Sequence, residues 1–495
     1  MQDLPFLCWL LPLLIAIIGL FYSTHNDRLW QKRKMVGQVF GALTVVSMAF
    51  VGWMPTSIGI ILMTIAQAWL VLVASRLVFG RLNAEFLKNS TRLNLVLALT
   101  TFLTIIVFAW IGANWILLVS AISFGVAVAL IVQVIWTLRH FKVKSGELTQ
   151  KPTVSICIPA RNEDDALIEC IDTALQTDYP KLEILVLDDC SQDKTAQIIK
   201  SYAHAGVRFV QGALPADGWL GKNQAMQTLA EHANGEWILF MGVDTHLGEK
   251  SVSKLMTQAI STNVEMISVL PQNMFSTGFN TVFGTLQYFW QVVLPIGKRH
   301  VPVSSKSWLI KTEALKKLGG FKSVRHKILP EAFFASRLFA RNSYRFLISD
   351  KELDITAAKK WRSQVRTSVR ILYPTFKRQP YYMLFALAAV GVFTLGPFLW
   401  PLYLLMDLDF LLLINLITSA LLLICYGLVL FRSQPSSWPV AVLCLPIVLV
   451  QELIVGLISM LSYEFGEVEW KDRNVCYPVI SQGQRSVPLK EELQR

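Results

Sequence analysis

Charged residues are scarce in this sequence. Only 16% of its 495 residues are charged and 53% are hydrophobic, whereas soluble domains carry roughly 25% charged residues. This composition argues against an ordinary soluble protein and predicts membrane embedding. The formal net charge of +12 does not indicate nucleic acid, because the basic residues lie beside apolar segments, where they suit anionic lipid and positive-inside orientation. We expect no nucleic-acid partner.

Three familiar arrangements of reactive residues are also absent. The seven cysteines show no Cys-x-x-Cys spacing, so neither a zinc site nor a disulfide framework is supported, and a reduced cytoplasmic catalytic domain is expected. No Ser/His/Asp arrangement stands out. The Gly-rich stretch at Gly218–Lys222 does not match the G-x-x-x-x-G-K-[ST] spacing, which argues against a P-loop kinase or ATPase.

Long apolar segments are abundant at both ends of the chain. About 20 apolar residues cross a bilayer as a helix. Spans are predicted at Leu4–Tyr22, interpreted as an anchor, and at Val36–Trp53, Ile58–Ser75, Leu93–Ile111, Trp115–Trp136, Tyr382–Leu405 and Phe410–Phe431. The segment Trp438–Leu461 contains Pro446, Gln451 and Glu452, so two alternatives stay open there: a span with a buried polar group and a re-entrant hairpin.

Basic residues in alternate connecting segments predict the orientation. Residues 28–34 and 76–92 each carry four Lys or Arg residues, whereas residues 55–57 and 112–114 carry no charge. The positive-inside rule then places the amino terminus outside and the region after His140 in the cytoplasm. We predict a multi-pass cell-membrane protein with a membrane region at 1–140, a cytoplasmic domain at 141–378, a second membrane region at 379–463 and a charged tail at 464–495, whose side is left open.

Strand and helix patterns alternate between Thr153 and His246. Short apolar runs at Val154–Ile158, Ile184–Leu187, Arg208–Val210 and Trp237–Met241 predict strands separated by helices. This alternation predicts a parallel α/β sheet that binds its ligand at the carboxyl ends of the strands. The polar residues expected at that edge are Asn162, Glu163, Asp188, Asp189 and Asp244.

Carboxylates gathered at a sheet edge suit a divalent cation that carries phosphates. Mg²⁺ or Mn²⁺ prefers oxygen ligands and binds through one or two carboxylates together with substrate phosphates. A nucleotide-sugar is therefore a natural substrate. The metal would neutralise a departing diphosphate while another carboxylate takes a proton from an acceptor hydroxyl.

Several motifs in order resemble those of a known family. They are Pro159–Glu163, Asp178–Pro180, Leu187–Thr195, Gly218–Lys222 and Gly319–Phe321. Together they resemble a family 2 glycosyltransferase of GT-A fold, which is α/β and Rossmann-like. Within that family the chain is similar to the membrane-bound branch of ceramide, hopanoid-associated and carotenoid glycosyltransferases. Trp470–Arg473 is similar to the tail signature of that branch.

The resemblance implies a role for each matching residue. Glu331 would be the catalytic base, Asp244 would hold Mg²⁺ or Mn²⁺, and a lipid would be the acceptor. The residues implied to bind the nucleotide-sugar, expected to be a UDP-sugar, are Pro159, Arg161, Glu163, Asp188, Asp189, Lys222 and Val243. The residues implied on the acceptor side are Trp219, Lys360, Trp361 and Arg362.

The chain departs from the family pattern at three places. Gly242 replaces the first Asp of Asp-x-Asp, Pro330-Glu331 stands where Glu-Asp is usual, and Ala357–Trp361 replaces Gln-x-x-Arg-Trp. His246 is an alternative metal ligand, although a surface role is favoured. The departures keep two alternatives open: a catalytically impaired nucleotide-binding membrane protein that acts as a sensor or partner, and a processive polysaccharide synthase.

Two segments suggest contact with the membrane surface. Phe279–Ile296 is rich in aromatic residues and precedes a basic cluster, so a helix in the headgroup region is favoured over a core helix beneath the site. Arg362, Arg366 and Arg370 repeat at helical spacing before a span, which predicts an interfacial helix against anionic lipid.

Overall fold

The computed structural model describes residues 115–141, 151–273, 282–284, 286–294, 297, 300–404, 409–435, 437–465, 468–470 and 473–474. The four predicted spans before Trp115 and most of the charged tail lie outside these residues. The chain divides into compact units at 1–118 and 119–495. Every contact discussed below lies within the second unit, and the first is described only from residue 115, where a helix begins. The division into four predicted regions stays a prediction.

A seven-stranded mixed sheet forms the centre of the second unit. Its strands are β1 (Val154–Ala160), β2 (Leu182–Asp188), β3 (Val207–Gln211), β4 (Trp237–Met241), β6 (Met266–Leu270), β8 (Ser307–Lys311) and β9 (Tyr344–Ile348). Their order is β3-β2-β1-β4-β8-β6-β9. The predicted α/β fold is confirmed. The four predicted strands pair in parallel, as expected, whereas the later strand β8 runs antiparallel to both β4 and β6.

Smaller strands complete the β structure. A three-stranded sheet pairs β5 (Thr245–Leu247), β10 (Ile355–Ala357) and β7 (Gln272–Asn273), in the order β5-β10-β7. A hairpin near the carboxyl terminus pairs β11 (Glu469–Trp470) with β12 (Arg473–Asn474).

The sheet is covered by helices on both faces. They are α2 (Asp164–Leu175), α3 (Thr195–Ser201), α4 (Gly221–His232), α5 (Ser251–Ser261), α6 (Gln287–Val293), α7 (Thr312–Lys317) and α8 (Pro330–Phe339). A further helix, α9 (Trp361–Thr375), lies away from the sheet. Side chains alternate between the two faces: Ile184 and Val186 join one buried cluster, while Leu185 and Leu187 join the other. This two-residue period is what a strand buried on both faces requires.

Among the residues that the structure describes, four helices are long and apolar enough to cross a membrane: Ile116–His140, Pro380–Leu399, Asp409–Ser433 and Leu445–Phe465. They comprise α1 (Trp115–His140), α10 (Pro380–Val390) with its irregular continuation to Leu399, α12 (Asp409–Ser433) and α14 (Leu445–Phe465). Two short helices lie between them along the chain: α11 (Pro401–Leu404) and α13 (Trp438–Leu443). The segment left open by the sequence contains a 21-residue helix with Glu452 buried. The span with a buried polar group therefore fits better than the hairpin.

The aromatic segment before the second half of the sheet is a core helix. Phe289, Val292 and Val293 of α6 are buried, and the ring of Phe289 packs edge-on against Tyr426 of α12 at a centroid distance of 5.5 Å. The expected headgroup helix is therefore wrong for the described part of this segment. A neighbouring helix covers the apolar face that the sequence pattern assigned to lipid.

Helix α9 lies along α14. The hydroxyl of Tyr463 donates to the carbonyl of Arg370 at 2.8 Å, and Ser459 Oγ accepts a hydrogen bond from the backbone N–H of Tyr373 at 3.0 Å. The arginine face predicted on α9 is divided: Arg362 and Arg366 are exposed, whereas Arg370 is half-buried. The interfacial role predicted for this helix remains untested for the two exposed arginines.

Candidate functional site

The turns after β1 and β2 form the first part of the site. Arg161 is buried and donates from Nη1 to the carbonyls of Asp189 at 2.7 Å and Cys190 at 3.0 Å. The backbone N–H of Asp189 donates to the carbonyl of Ala160 at 2.8 Å. Arg161 therefore holds the turn in which Cys190 adopts the left-handed conformation, with φ of 55°.

Asp188 and Glu163 also serve these turns. Oδ1 of Asp188 accepts a hydrogen bond from the backbone N–H of Ser191 at 3.1 Å, as aspartates at turns often do. The backbone N–H of Glu163 donates to Thr195 Oγ1 at 3.0 Å. Pro159, Arg161, Glu163, Asp188 and Asp189 thus come together at one end of two adjacent parallel strands. Their role in nucleotide binding stays a prediction.

Asp244 and its lysine neighbours form the second part of the site. The turn after β4 places Val243 in the core and Asp244 at the sheet edge. Nζ of Lys359 lies 3.6 Å from Oδ2 of Asp244. Burial acts to raise the pKa of Asp244, but the positive charges of Lys359 and Lys306 outweigh it and leave the pKa below its usual value. Lys306 is buried, just before β8.

Lys222 lies close enough to Glu331 and Asp244 for both carboxylates to act on its charge. Burial lowers the pKa of Lys222, which lies in the first turn of α4, while the negative charges of Glu331 and Asp244 act in the opposite direction. Burial likewise lowers the pKa of Arg370, against the same two carboxylates. Two acidic and several basic side chains from separate elements therefore share one electrostatic environment.

Glu331 is placed by the loop that precedes α8. The side-chain nitrogen of Asn223, in α4, donates to the carbonyls of Val324 at 3.0 Å, Arg325 at 3.1 Å and Lys327 at 2.8 Å. Beneath the helix, Phe334 packs against Phe321 at a centroid distance of 5.5 Å. These contacts fix the start of α8 beside the start of α4.

Both carboxylate oxygens of Glu331 lack a hydrogen-bond partner among the described residues, and the residue is 0% exposed. Leaving a buried acceptor unsatisfied typically costs about 1–3 kcal/mol, and more for a charged group. Such groups are rare in native structures and call for an explanation, of which a catalytic role is one.

The predicted acceptor-side residues do not form one cluster. Lys360 and Arg362 are exposed, and Trp219 packs against the buried cluster on the α4 side of the sheet. Trp361 is half-buried, and its indole nitrogen donates to Oε1 of Gln451 in α14 at 2.8 Å. Trp361 therefore contacts a helix that is long and apolar enough to cross a membrane, while Lys359 rather than Lys360 reaches Asp244.

The residues around Asp244 do not supply a cluster of protein ligands for a metal ion. No group of three or more His, Cys, Asp or Glu side chains within the described ranges is placed to hold a metal ion. Nδ1 of His246 lies 3.7 Å from Oε1 of Glu169. A Cβ at Gly242 would lie 2.9 Å from Oδ1 of Asp244. The observed donor set is one carboxylate with the Lys359 ammonium group at 3.6 Å and the charge of Lys306 acting on it, which does not fit the predicted Mg²⁺ or Mn²⁺ ion.

Lys306, Lys359 and Arg370 were not predicted as site residues. Lys306 precedes a strand that runs opposite to its neighbours, so its place at the sheet edge follows from the topology and not from a local pattern. Lys359 adjoins the residue that the family motif indicated, and Arg370 was assigned to a lipid-facing surface. A count of basic residues near strand ends was the only signal available.

Comparisons with known proteins agree with this architecture. Residues 155–317 match the family model described as glycosyl transferase family 2. Two 4,4'-diaponeurosporenoate glycosyltransferases of Staphylococcus aureus, from strains bovine RF122 / ET3-1 and USA300, are 29% and 28% identical over 205 residues. Each alignment covers 39% of this chain and 53% of the relative, so the chain spans about half the length of the curated relatives it matches.

Two solved structures show a more distant likeness. The mannosyltransferase PcManGT from Pyrobaculum calidifontis, in complex with GDP-Man and Mn²⁺, is 16% identical, with a TM-score of 0.44 over 70% of this chain and 97% of that chain. Glucosyl-3-phosphoglycerate synthase from Mycobacterium tuberculosis, in complex with Mn²⁺, UDP-Glc and phosphoglyceric acid, is 19% identical, with a TM-score of 0.29 over 40% of this chain and 70% of that chain.

The sequence match and the curated relatives agree with the transferase family that the motifs resemble, and the mixed sheet agrees with the predicted α/β class. Residues 155–317 are the part of the chain that is similar to glycosyl transferase family 2.

Proposed function

We propose that the chain is an integral-membrane, inverting glycosyltransferase. It moves a sugar from a nucleotide-sugar to a hydroxyl of a lipid or another membrane-bound acceptor at the cytoplasmic surface. The observation that carries the proposal is the buried carboxylate of Glu331, which lacks hydrogen-bond partners in the described part of the chain and lies in the electrostatic environment of Lys222, Asp244 and Arg370. A bound acceptor hydroxyl would supply the missing donor.

The roles follow from position. The oxygen of the acceptor hydroxyl attacks the anomeric carbon, and Glu331 takes the proton from that hydroxyl. The bond from the anomeric carbon to the diphosphate breaks on the opposite face. Attack opposite to the leaving group inverts the configuration. Lys222, in the first turn of a 12-residue helix, supports the diphosphate, since helix amino termini favour anions. The predicted metal ion has no part in these steps, because the residues around Asp244 do not fit it.

The membrane helices support a lipid acceptor. Helix α9 begins beside the site and packs along α14, whose outward residues Ile447, Ile454 and Ile458 are exposed on an apolar surface. An acceptor dissolved in the bilayer would reach the domain along this surface. The Staphylococcus aureus relatives, named for 4,4'-diaponeurosporenoate, favour an acceptor of this lipid-like kind.

Basic residues at the ends of the spans support the cytoplasmic orientation. Arg139 closes α1, Arg432 closes α12, and Arg378 precedes α10. The first two lie against the catalytic domain: Arg345 donates to the carbonyl of His140 at 3.1 Å, and Gln272 donates to the carbonyl of Arg432 at 2.8 Å. Basic residues on the domain side of the membrane are what the positive-inside rule expects of a cytoplasmic domain.

The test uses the full chain in lipid nanodiscs with a panel of labelled nucleotide-sugars and a membrane lipid extract. We expect label in the lipid phase, and a 10²- to 10⁴-fold lower rate for Glu331→Gln, roughly what general-base catalysis contributes. Glu313→Gln, which removes an exposed carboxylate from α7, serves as the matched control and should retain full activity. Nucleotide binding without transfer by the wild type would instead favour the sensor alternative.

A further inference from the structure

The position expected to hold a cation is already occupied by protein cations. Asp244 has Lys359 at 3.6 Å on one side, and the charge of Lys306 also acts on it. Gly242 supplies no second carboxylate. A divalent ion at Asp244 would therefore have to displace or face two ammonium groups, and like charges at such distances repel strongly where burial limits screening.

Lys306 is held firmly at this place. Its carbonyl accepts hydrogen bonds from the backbone N–H of Gly242 at 2.9 Å and from Thr245 Oγ1 at 3.1 Å, so it is tied to the turn that carries Asp244. Its ammonium group lies 4.9 Å from the centroid of the Tyr288 ring, a separation at which a cation is attracted to the ring face. Burial of an ammonium group is unfavourable unless an anion compensates it.

The side chains of the site carry an excess of positive charge that such an anion would neutralise. Lys222, Lys306, Lys359 and Arg370 are basic, whereas Asp244 and Glu331 are the acidic groups that act on them. Four basic and two acidic side chains leave an excess of two positive charges when all are ionised. The diphosphate of a nucleotide-sugar, with one ionised oxygen on each phosphate, carries the opposite charge, and lysine is a common phosphate ligand.

We propose that Lys306 and Lys359 neutralise the donor diphosphate directly, and that Asp244 positions these two ammonium groups and binds no divalent cation. This inference rests on the proposed function. In the transfer step the acceptor oxygen bonds to the anomeric carbon, and the bond from that carbon to the diphosphate oxygen breaks. Glu331 receives the hydroxyl proton, and the charge that develops on the departing oxygen is met by the two ammonium groups.

The first experiment measures binding of UDP, with GDP in parallel, to the full chain in nanodiscs by calorimetry. We expect the same affinity in excess EDTA and in excess Mn²⁺. Lys306→Gln and Lys359→Gln should each weaken binding roughly 10- to 100-fold, as expected for the loss of a charged hydrogen bond. Lys306→Arg should retain most of the affinity, which separates loss of charge from loss of folding. Lys311→Gln removes a partly exposed lysine from the same region and should have no effect.

The second experiment measures nucleotide binding by Asp244→Asn. A metal-ligand role and a lysine-positioning role of Asp244 predict different changes in affinity for this variant. A metal ligand, once removed, would weaken binding and abolish any effect of Mn²⁺. Loss of a carboxylate that only positions the lysines removes negative charge beside the diphosphate, so binding should be unchanged or tighter. The melting temperature, compared with that of the wild type, shows whether the variant is folded.

The outcomes are distinguishable. Binding that requires Mn²⁺ and is lost in Asp244→Asn would overturn the lysine assignment while leaving the glycosyltransferase proposal intact. Absence of nucleoside diphosphate binding in both EDTA and Mn²⁺, by a folded wild-type protein, would overturn the proposed function itself.

Discussion

The indole nitrogen of Trp361 and the side-chain oxygen of Gln451 form a hydrogen bond of 2.8 Å between the catalytic domain and a helix long and apolar enough to cross a membrane. Gln451 also donates to the carbonyl of Phe283 at 3.2 Å. The side chain of Gln451, within an apolar helix, thus forms hydrogen bonds with two separate segments of the domain, at Phe283 and Trp361. In an apolar environment an unmade hydrogen bond is costly, so this junction is expected to be well ordered.

Loss of this junction is expected to affect the acceptor more than the donor. In Gln451→Leu, kcat/KM for the lipid acceptor should fall about 3- to 10-fold, the range for one net hydrogen bond, while KM for the nucleotide-sugar is unchanged. Trp361→Phe keeps an aromatic ring but removes the donor. If the bond is responsible, the two changes together should cost little more than either one. Fully additive losses would show that the residues act independently.

Asn223 should be indispensable for placing Glu331. In Asn223→Asp the side chain loses its N–H donors and places carboxylate oxygens against the three carbonyls that it now contacts. Such a buried, unpaired charge is strongly destabilising. We expect a much lower rate of transfer and a lower melting temperature. Asn263→Asp, at an exposed position, is the control, and equal damage from both would contradict the positioning role.

Restoring the missing carboxylate should make nucleotide binding depend on a metal. Gly242→Asp places a Cβ 2.9 Å from Oδ1 of Asp244, so the carboxylate of Asp244 must turn, and the variant adds a negative charge to the site. In EDTA the affinity for UDP should fall, because the charge excess that matches the diphosphate is reduced. In the presence of Mn²⁺, the two neighbouring carboxylates can hold the ion, and part of the lost affinity for UDP should return. Gly242→Ala gives the steric effect alone, and Mn²⁺ should not improve its binding.

Glu183 should make the stability of the domain pH-dependent. Burial raises its pKa, but hydrogen bonds from Ser155, Asn234 and Arg208 outweigh burial and leave the pKa below its usual value. A carboxyl whose pKa is lower in the folded state stabilises above its unfolded pKa, and this contribution is lost as the pH falls through the folded value. Thermal unfolding of the wild type and of Glu183→Gln should therefore differ at neutral pH and converge below about pH 4, near the usual glutamate pKa. A constant difference would exclude this linkage.

The part of the fold that contains β1 to β4 is predictable from the sequence, because these strands are short apolar runs closed by polar turns. Ile184–Leu187 lies within β2, and Trp237–Met241 coincides with β4. The reversal of β8 is not encoded in such a run. The position of α6 was wrong because α12, far away in sequence, covers its aromatic face.

Site residues that directly follow a predicted strand could be predicted from the sequence. Site residues brought there by pairing between distant segments could not. Asp188, Asp189 and Asp244 each follow a predicted strand. Lys306 and Lys359 reach Asp244 through the reversal of β8 and the small sheet that contains β10. Their proximity depends on long-range pairing, which a local pattern does not contain.

The reversed strand has a consequence for the order in which the chain folds. The strands β6 and β9 join the rest of the large sheet only through β8, yet β6 emerges from the ribosome before β8 does. Until residues 307–311 arrive, both β4 and β6 present unpaired edges, and such edges are templates for aggregation. A nascent chain paused within this interval should therefore need chaperone protection, and the pairing of β8 with β4 would deliver Lys306 beside Asp244.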